Sequence, residues 1–347
     1  MTEISDTIDI ETYLKSRSKP TIDVRSPSEF AKGHIPGALN IPLFNDDERA
    51  QVGIAYKNRG RNQAIALGLR LVGEKAESLM ESLSRFEPGE QVFVHCWRGG
   101  MRSEAFAWLA LRSGLGSRRI AGGYKSYRRA AHASFAEQKQ IVILSGYTGV
   151  GKTALLDDLR AEGEQVIDLE ALACHRGSAF GGIGQPDQPT VEQFENELFD
   201  QWIDIVPNRP VWIEDESQSI GRINLPGPLW NQMRDAPGIF AEADRDSRLE
   251  LLVREYGDLP VEALGEAIGR VKKRLGGLRY QNAMEALGKS DLAKFADIAL
   301  SYYDDAYTTA AGKRPREKLV KYALKRAGVA GSLTELRRLG LELVASR

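Results

Sequence analysis

Ile141-Val-Ile-Leu-Ser-Gly-Tyr-Thr-Gly-Val-Gly-Lys-Thr153 decides the architecture of the longer part of this chain. Ile141–Leu144 is an uninterrupted apolar run, the composition of a strand buried on both faces of a parallel sheet. Gly146-Tyr-Thr-Gly-Val-Gly-Lys-Thr153 then fits G-x-x-x-x-G-K-[ST], and a helical stretch, Ala154–Arg160, follows before Gly163. Strand, glycine loop and helix in this order form a P-loop, a cradle for phosphate oxygens. Gly146, Gly149 and Gly151 let backbone N–H groups turn toward an anion, Lys152 adds a point charge, and Thr153 offers a hydroxyl to Mg²⁺. A diphosphate of any kind satisfies such a loop.

Downstream, Glu164–Leu169 and Val211–Ile213 are further strand candidates with helices between them, the alternation of βαβ units. Trp212-Ile-Glu214-Asp215-Glu216 is an apolar strand ending in three carboxylates, so Glu214 and Asp215 are candidates to hold Mg²⁺ through water. Solvated acids at a strand end have the same sequence. Asp168-Leu-Glu170 and Cys174-His-Arg-Gly-Ser178 follow the preceding strand and are placed to line the same cleft. Cys174 reads as structural, because no glycine-rich cradle follows it. Trp202, Trp212, Phe180 and Phe194 could line an apolar slot, although core packing is the commoner fate of such residues. Beyond Leu249 the chain reads as mostly helical, with Arg316–Leu324 and Leu333–Leu343 as amphipathic helices. Tyr127–Gln140, rich in Ala, Arg and Gln, marks the joint, giving domains 1–138 and 139–347.

Upstream of the joint the chain again alternates. Thr21–Val24 is a short β-branched run, Ser26-Pro27 has the form of a helix N-cap followed by proline, and Gly33-His-Ile-Pro-Gly37 is a turn. Gln91–His95 is a strand that delivers Cys96 to its end. The next residues are Trp97, Arg98, Gly99, Gly100, Met101, Arg102 and Ser103, where a helix begins. The two glycines let successive amides curl inward, and with the helix N-terminus and Arg102 they make an anion nest. That field also lowers the thiol pKa, and the thiolate is the reactive form. The loop is suited to hold an oxyanion and to present a nucleophile to it.

Composition narrows the class. A chain of 347 residues with 42% hydrophobic and 27% charged residues fits a soluble protein of two domains, and no apolar run reaches membrane-spanning length. Met1–Asp6 has neither the charged start nor the apolar core of a signal peptide. Two cysteines exclude a disulfide framework and fit a reducing, cytoplasmic setting. The net charge of −1 hides an asymmetry: Lys313–Arg347 carries +7, so the remainder carries −8. This basic stretch, Arg118-Arg119, and Lys125–Arg129 with Tyr124 and Tyr127 beside its basic residues are candidate nucleic-acid contacts, each also readable as ordinary solvated surface.

The His-Cys-x5-Arg-Ser spacing is shared with cysteine phosphatases. Asp23-Val-Arg-Ser-Pro-Ser-Glu-Phe-Ala-Lys-Gly-His-Ile-Pro-Gly-Ala-Leu-Asn-Ile-Pro42, together with Gly122-Gly123-Tyr124, closely resembles the rhodaneses instead. The loop places Arg102 one residue farther from Cys96 than sulfur-transferring rhodaneses do, which suits a bulkier anion than thiosulfate. Asp23, Arg25 and His34 read as structural, behind the loop. The expected class is α/β: an N-terminal rhodanese-like domain plus a C-terminal P-loop NTPase-like parallel-sheet domain with a helical C-terminal region.

This pairing, with Cys96–Ser103, Asp168–Glu170, His175–Ser178 and Gly221-Arg-Ile-Asn-Leu-Pro226, resembles the bacterial tRNA 2-selenouridine synthases over nearly the whole chain. The resemblance implies a transferase acting on wobble 2-thiouridine of tRNA. A geranyl group from geranyl diphosphate would first be placed on sulfur, and selenium from selenophosphate would then replace the geranylthio group. It implies Cys96 and Arg102 as the catalytic pair for selenium and the P-loop as the diphosphate site, with no tightly bound cofactor and Mg²⁺ as a candidate only. The residues alone leave open a rhodanese-fold cysteine phosphatase or sulfurtransferase coupled to a nucleotide-binding domain.

Overall fold

Five short strands carry the first of two units: β1 (Asp6–Ile8), β2 (Thr21–Asp23), β3 (Leu39–Asn40), β4 (Gln91–His95) and β5 (Gly116–Ile120). They form one parallel sheet in the order β1-β5-β4-β2-β3. The computed structural model describes residues 6–310 and 319–345. The chain divides into two compact units, one running to Ser134 and including Glu195–Glu197, the other comprising Phe135–Phe194 and the residues from Leu198 on. In the first, Ile22, Val24, Val92 and Val94 meet Phe106 and Ala110 of the helix Met101–Arg112 in a core that includes Cys96. Apolar residues on both faces of β4 make it a central strand, so its end is where a loop is held most firmly.

The second unit holds β6 (Ile141–Gly146), β7 (Gln165–Ile167), β8 (Val211–Glu214), a two-stranded ribbon of β9 (Ser219–Ile220) and β10 (Ile223–Asn224), β11 (Gly238–Glu242), β12 (Leu319–Arg326) and β13 (Val329–Ala330). The main sheet runs β13-β12-β11-β6-β8-β7, parallel except for the β12–β13 pair. All six residues of β6 are buried. Trp202, Trp212 and Phe194 are fully enclosed, so core packing claims three of the four aromatics considered for a slot. The helices from Arg245 to Ala310 build a separate apolar core around Tyr256, Leu264, Ile268 and Phe295.

One element differs in kind from its sequence expectation. Arg316–Leu324 reads as a basic amphipathic helix, but residues 319–326 form β12, parallel to β11 with Leu319 opposite Gly238. The reason is two-residue periodicity in Leu319-Val-Lys-Tyr-Ala-Leu-Lys-Arg326. Tyr322 turns inward and is 4% exposed, while Lys321 and Lys325 alternate with it. Lys313, Arg314, Arg316, Lys318 and Arg347 of the basic stretch lie outside the described residues. The helix Leu333–Ala345 matches the second expected helix. Among the described residues no helix is long and apolar enough to cross a membrane.

Candidate functional sites

The cysteine loop is built by β4 and by the helix Met101–Arg112, whose N-cap is Gly100. The Cys96 thiol lies at the loop's floor, and the residue is 3% exposed. Its Sγ is 3.4 Å from Ser103 Oγ and 4.0 Å from the Gly100 carbonyl. Burial pushes the thiol pKa up. The Ser103 hydroxyl, the Arg102 charge and the backbone N–H groups of Ser103 and Arg98 outweigh it, and the net shift is below the ordinary thiol value. Around this floor Trp97 and Met101 are exposed, at 36% and 48%. The floor is closed from behind by the turn at Gly122-Gly123. The Tyr124 N–H donates to the Cys96 carbonyl at 2.9 Å, and Gly123 has φ +58°. A Cβ on Gly123 would lie 2.2 Å from the Cys96 carbonyl oxygen, so only glycine permits this approach.

Arg102 is held by a residue that the sequence did not single out. Its Nη1 and Nη2 donate to Glu29 Oε2 and Oε1 at 2.6 and 3.3 Å. Glu29 Oε2 also accepts the Ser26 N–H at 3.2 Å, so the third residue of the helix Pro27–Lys32, the partner of the N-cap Ser26 in a capping box, doubles as the anchor of the loop arginine. Ser-x-x-Glu at 26–29 is the signal that could have identified it. Behind the loop, Arg25 donates to Asp23 Oδ2 at 2.6 Å and to the Gly33 carbonyl at 2.7 Å, and its guanidinium covers the Tyr124 ring at 3.8 Å. Asp23 and Arg25 are buried, in keeping with a structural role, and His34 Nδ1 is 3.0 Å from the Phe30 carbonyl.

The phosphate loop leaves the buried end of β6 and enters the helix Lys152–Ala161. Gly151 has φ +81°, and a Cβ there would lie 2.4 Å from Gly328 Cα. The turn between β12 and β13 thus backs the loop, and the Gly328 N–H donates to the Val150 carbonyl at 2.9 Å. Arg248, 4% exposed, clamps the other side. Its Nε donates to the Thr148 carbonyl at 3.0 Å, and its Nη2 meets Asp304 Oδ1 at 2.5 Å. Neither contact is foreshadowed in sequence, because both partners come from far along the chain.

Acidic groups converge beside Lys152. Carboxylate oxygens of Glu170, Glu214 and Glu216 lie within 4.8 Å of one another. Glu214 Oε1 accepts the Glu170 N–H at 2.9 Å, whereas its Oε2 is buried without a hydrogen-bond partner. Of the two acids read from sequence as Mg²⁺-associated, Glu214 joins this trio, while Asp215 accepts a hydrogen bond from Ser145 Oγ at 2.8 Å. Burial, then the neighbouring carboxylates, hold Glu214 well above the usual carboxyl range. Burial and then Glu216 push Glu170 up to about 8, and burial raises Glu216 as well, with Lys152 opposing all three shifts. Three hard oxygen donors with one orphaned atom are a suitable set for a divalent cation. Gly177 sits against them. With φ +62°, its absent Cβ would lie 2.5 Å from Glu216 Oε2, which explains the glycine of His175–Ser178.

Gly149, Lys152 and Thr153 share a cavity of about 460 Å³ with Glu170, Arg176 and Ser178. Asp168 instead caps the helix Leu169–Ala173 through the Ala171 N–H at 2.8 Å. The candidate base-stacking tyrosines are overturned: Tyr124 and Tyr127 are 0% and 1% exposed and belong to the core. Arg118 pairs with Asp6, Arg128 with Glu195, and Lys321 with Glu242, while Lys125 and Arg129 are exposed.

A parallel-sheet unit with a thiol loop, followed by a second parallel-sheet unit with a phosphate loop, defines a rhodanese-like domain joined to a P-loop domain. Family models divide the chain the same way: residues 9–130 match the rhodanese-like domain, and residues 139–263 match the tRNA 2-selenouridine synthase AAA domain. A Hahella chejuensis protein named tRNA 2-selenouridine synthase is 38% identical, over 88% of this chain and 86% of its own. Relatives of the same name from Cupriavidus pinatubonensis and Marinobacter nauticus are 37% and 35% identical. They cover 75% and 90% of this chain and 77% and 94% of their own. Among solved structures, a rhodanese-related protein of Thermoplasma volcanium aligns with 36% of this chain and 92% of its own at 18% identity, with a TM-score of 0.24. The chain belongs to the tRNA 2-selenouridine synthase family.

Proposed function

We propose that this chain converts 2-thiouridine at the tRNA wobble position to 2-selenouridine through an S-geranylated intermediate. In the first step the thiocarbonyl sulfur attacks C1 of geranyl diphosphate, the C1–O bond breaks, and diphosphate departs with the N3 proton lost from the base. In the second, selenium of selenophosphate attacks C2 and geranylthiol leaves, and water then cleaves the Se–P bond to release phosphate. Alkylation matters because a thiocarbonyl sulfur is a poor leaving group, whereas its alkylated form leaves as a thiol. The observation that carries this reading is two anion cradles of unlike chemistry in one chain, one with a thiol at its floor and one with a lysine beside carboxylates.

The roles follow from the residues. Lys152, the loop amides of Gly149 and Gly151, and Thr153 would stabilise the departing diphosphate. Mg²⁺, when bound, would sit on Glu170, Glu214 and Glu216 and add positive charge beside that group. Arg102, fixed by Glu29, and the amides after Cys96 would hold selenophosphate, and the Cys96 thiol beneath it would guide the selenium to C2. The test mixes purified protein, thiolated tRNA, geranyl diphosphate and selenophosphate and weighs the nucleosides by mass spectrometry. The expected result is geranylated nucleoside without selenophosphate and selenated nucleoside with it. Turnover of phosphate esters abolished by Cys96→Ser, with thiolated tRNA untouched, would establish a phosphatase instead.

A further inference from the structure

The cavity that opens at the phosphate loop changes character away from it. Phe180, Ile183, Leu252, Tyr256, Leu259 and Tyr303 supply the rest of its wall. The Phe180 ring lies 5.2 Å from Tyr256 and 6.3 Å from Tyr303, centroid to centroid, and Phe295 backs it at 5.8 Å. This wall is the outer side of the helical core and is not a loose flap. Two of the hydroxyls along it are already engaged. Tyr303 Oη accepts the Ala179 N–H at 3.1 Å, and Ser178 Oγ accepts the Phe180 N–H at 3.2 Å. Lys152, Glu170, Asp215 and Glu216 line the loop end of the cavity, and Arg176 and Glu255 are the other charged residues of the lining. The wall therefore offers a ligand mainly ring and aliphatic carbon. A hydrocarbon chain laid on these six side chains leaves water without giving up a hydrogen bond of its own.

The geometry points to this wall as the seat of the isoprenyl chain of a prenyl diphosphate whose phosphates occupy Gly146–Thr153. The inference rests on the prenyl-transfer reading above and adds the place where the chain binds and the residues that select it. A volume of about 460 Å³ suits a small amphiphile with one anionic end. Ile183 and Leu259 are half-buried, so they can be altered without emptying the core, unlike Leu252 and Tyr256 at 3% and 5% exposure.

Calorimetric titration of the full chain with inorganic diphosphate, dimethylallyl diphosphate, geranyl diphosphate and ATP tests it. Affinity should rise by about fourfold per methylene buried, placing geranyl diphosphate at least about tenfold above dimethylallyl diphosphate. Ile183→Trp, which fills the cavity, should weaken geranyl diphosphate at least tenfold and leave inorganic diphosphate within twofold; the latter certifies a folded loop. Should Ile183→Trp fail to fold, Leu259→Phe makes the same comparison. Geranyl diphosphate binding no tighter than inorganic diphosphate would overturn the inference, as would a filled cavity that excludes ATP but not geranyl diphosphate. Chain-dependent binding without geranyl transfer to thiolated tRNA would uphold the wall and sink the transfer reading.

Discussion

The loop after β4 and the loop after β6 start from the same plan, a glycine turn at the C-terminal end of a parallel strand followed by a helix. They differ in what surrounds the amides. At Cys96 the cation is held in position: Arg102 is forked onto Glu29, and the thiol pKa is lowered from its ordinary value. At Lys152 the acids outnumber the cation, and all three are raised, by burial first and, at Glu170 and Glu214, by one another, with Lys152 opposing the shift only in part. One cradle has its arginine fixed by an acid, and the other carries a surplus of acids that a divalent cation would offset. Similar backbones thus acquire separate chemistry from side chains that arrive from elsewhere.

The sharpest way to break this comparison is to remove each centre alone. Lys152→Ala should lower geranylation of thiolated tRNA by roughly 10²-fold or more, read by mass spectrometry, while Cys96→Ala should leave geranylation intact and abolish selenium entry. Failure of both variants at one step would mean that the loops share a single chemistry. Next in size, Gly123→Ala should destabilise the first unit by about 2–4 kcal/mol, from left-handed backbone strain plus contact with the Cys96 carbonyl. Chemical denaturation measures this, and a neutral result would show that the floor of the thiol loop yields easily. Arg248→Met should cost about 2 kcal/mol by releasing Thr148 and Asp304, and should weaken inorganic diphosphate binding while leaving the Cys96 alkylation rate unchanged.

The smallest effect concerns Glu170. Its pKa is raised on folding, so the folded state binds the proton more tightly than the unfolded chain, and the associated stability is present at low pH. It is lost as pH rises from the unfolded carboxyl value through about 8. Glu170→Gln should flatten that decline in a pH series of denaturation curves. A decline that persists unchanged would assign the excess charge to Glu214 or Glu216.

Both loops were legible in sequence because each is a run of consecutive residues whose spacing is the chemistry. Their supports were not, because Glu29, Arg248 and Gly328 reach the loops through tertiary contacts that no local pattern records. The acid site was largely legible: the strand-end run Glu214–Glu216 pointed to it and Asp168-Leu-Glu170 was read as lining the same cleft, but the joining of Glu170 to Glu214 and the turn of Asp215 to Ser145 are tertiary contacts. At residues 319–326, alternating lysines suggested a helix's basic face. The period of two was the better guide, since β11 leaves an edge that a strand can pair with. Tyr124 and Tyr127 taught the reverse error, because aromatics between basic residues look like a stacking surface until burial shows them inside.

The seam where Gly151 meets Gly328 also bears on biosynthesis. The loop is translated about 180 residues before the turn that backs it, a wait of roughly 10–35 s on the ribosome at ordinary elongation rates. Throughout that interval the nascent loop lacks its buttress, and β11, once made, keeps a bare flank until β12 docks, so phosphate binding at the loop should emerge late in synthesis.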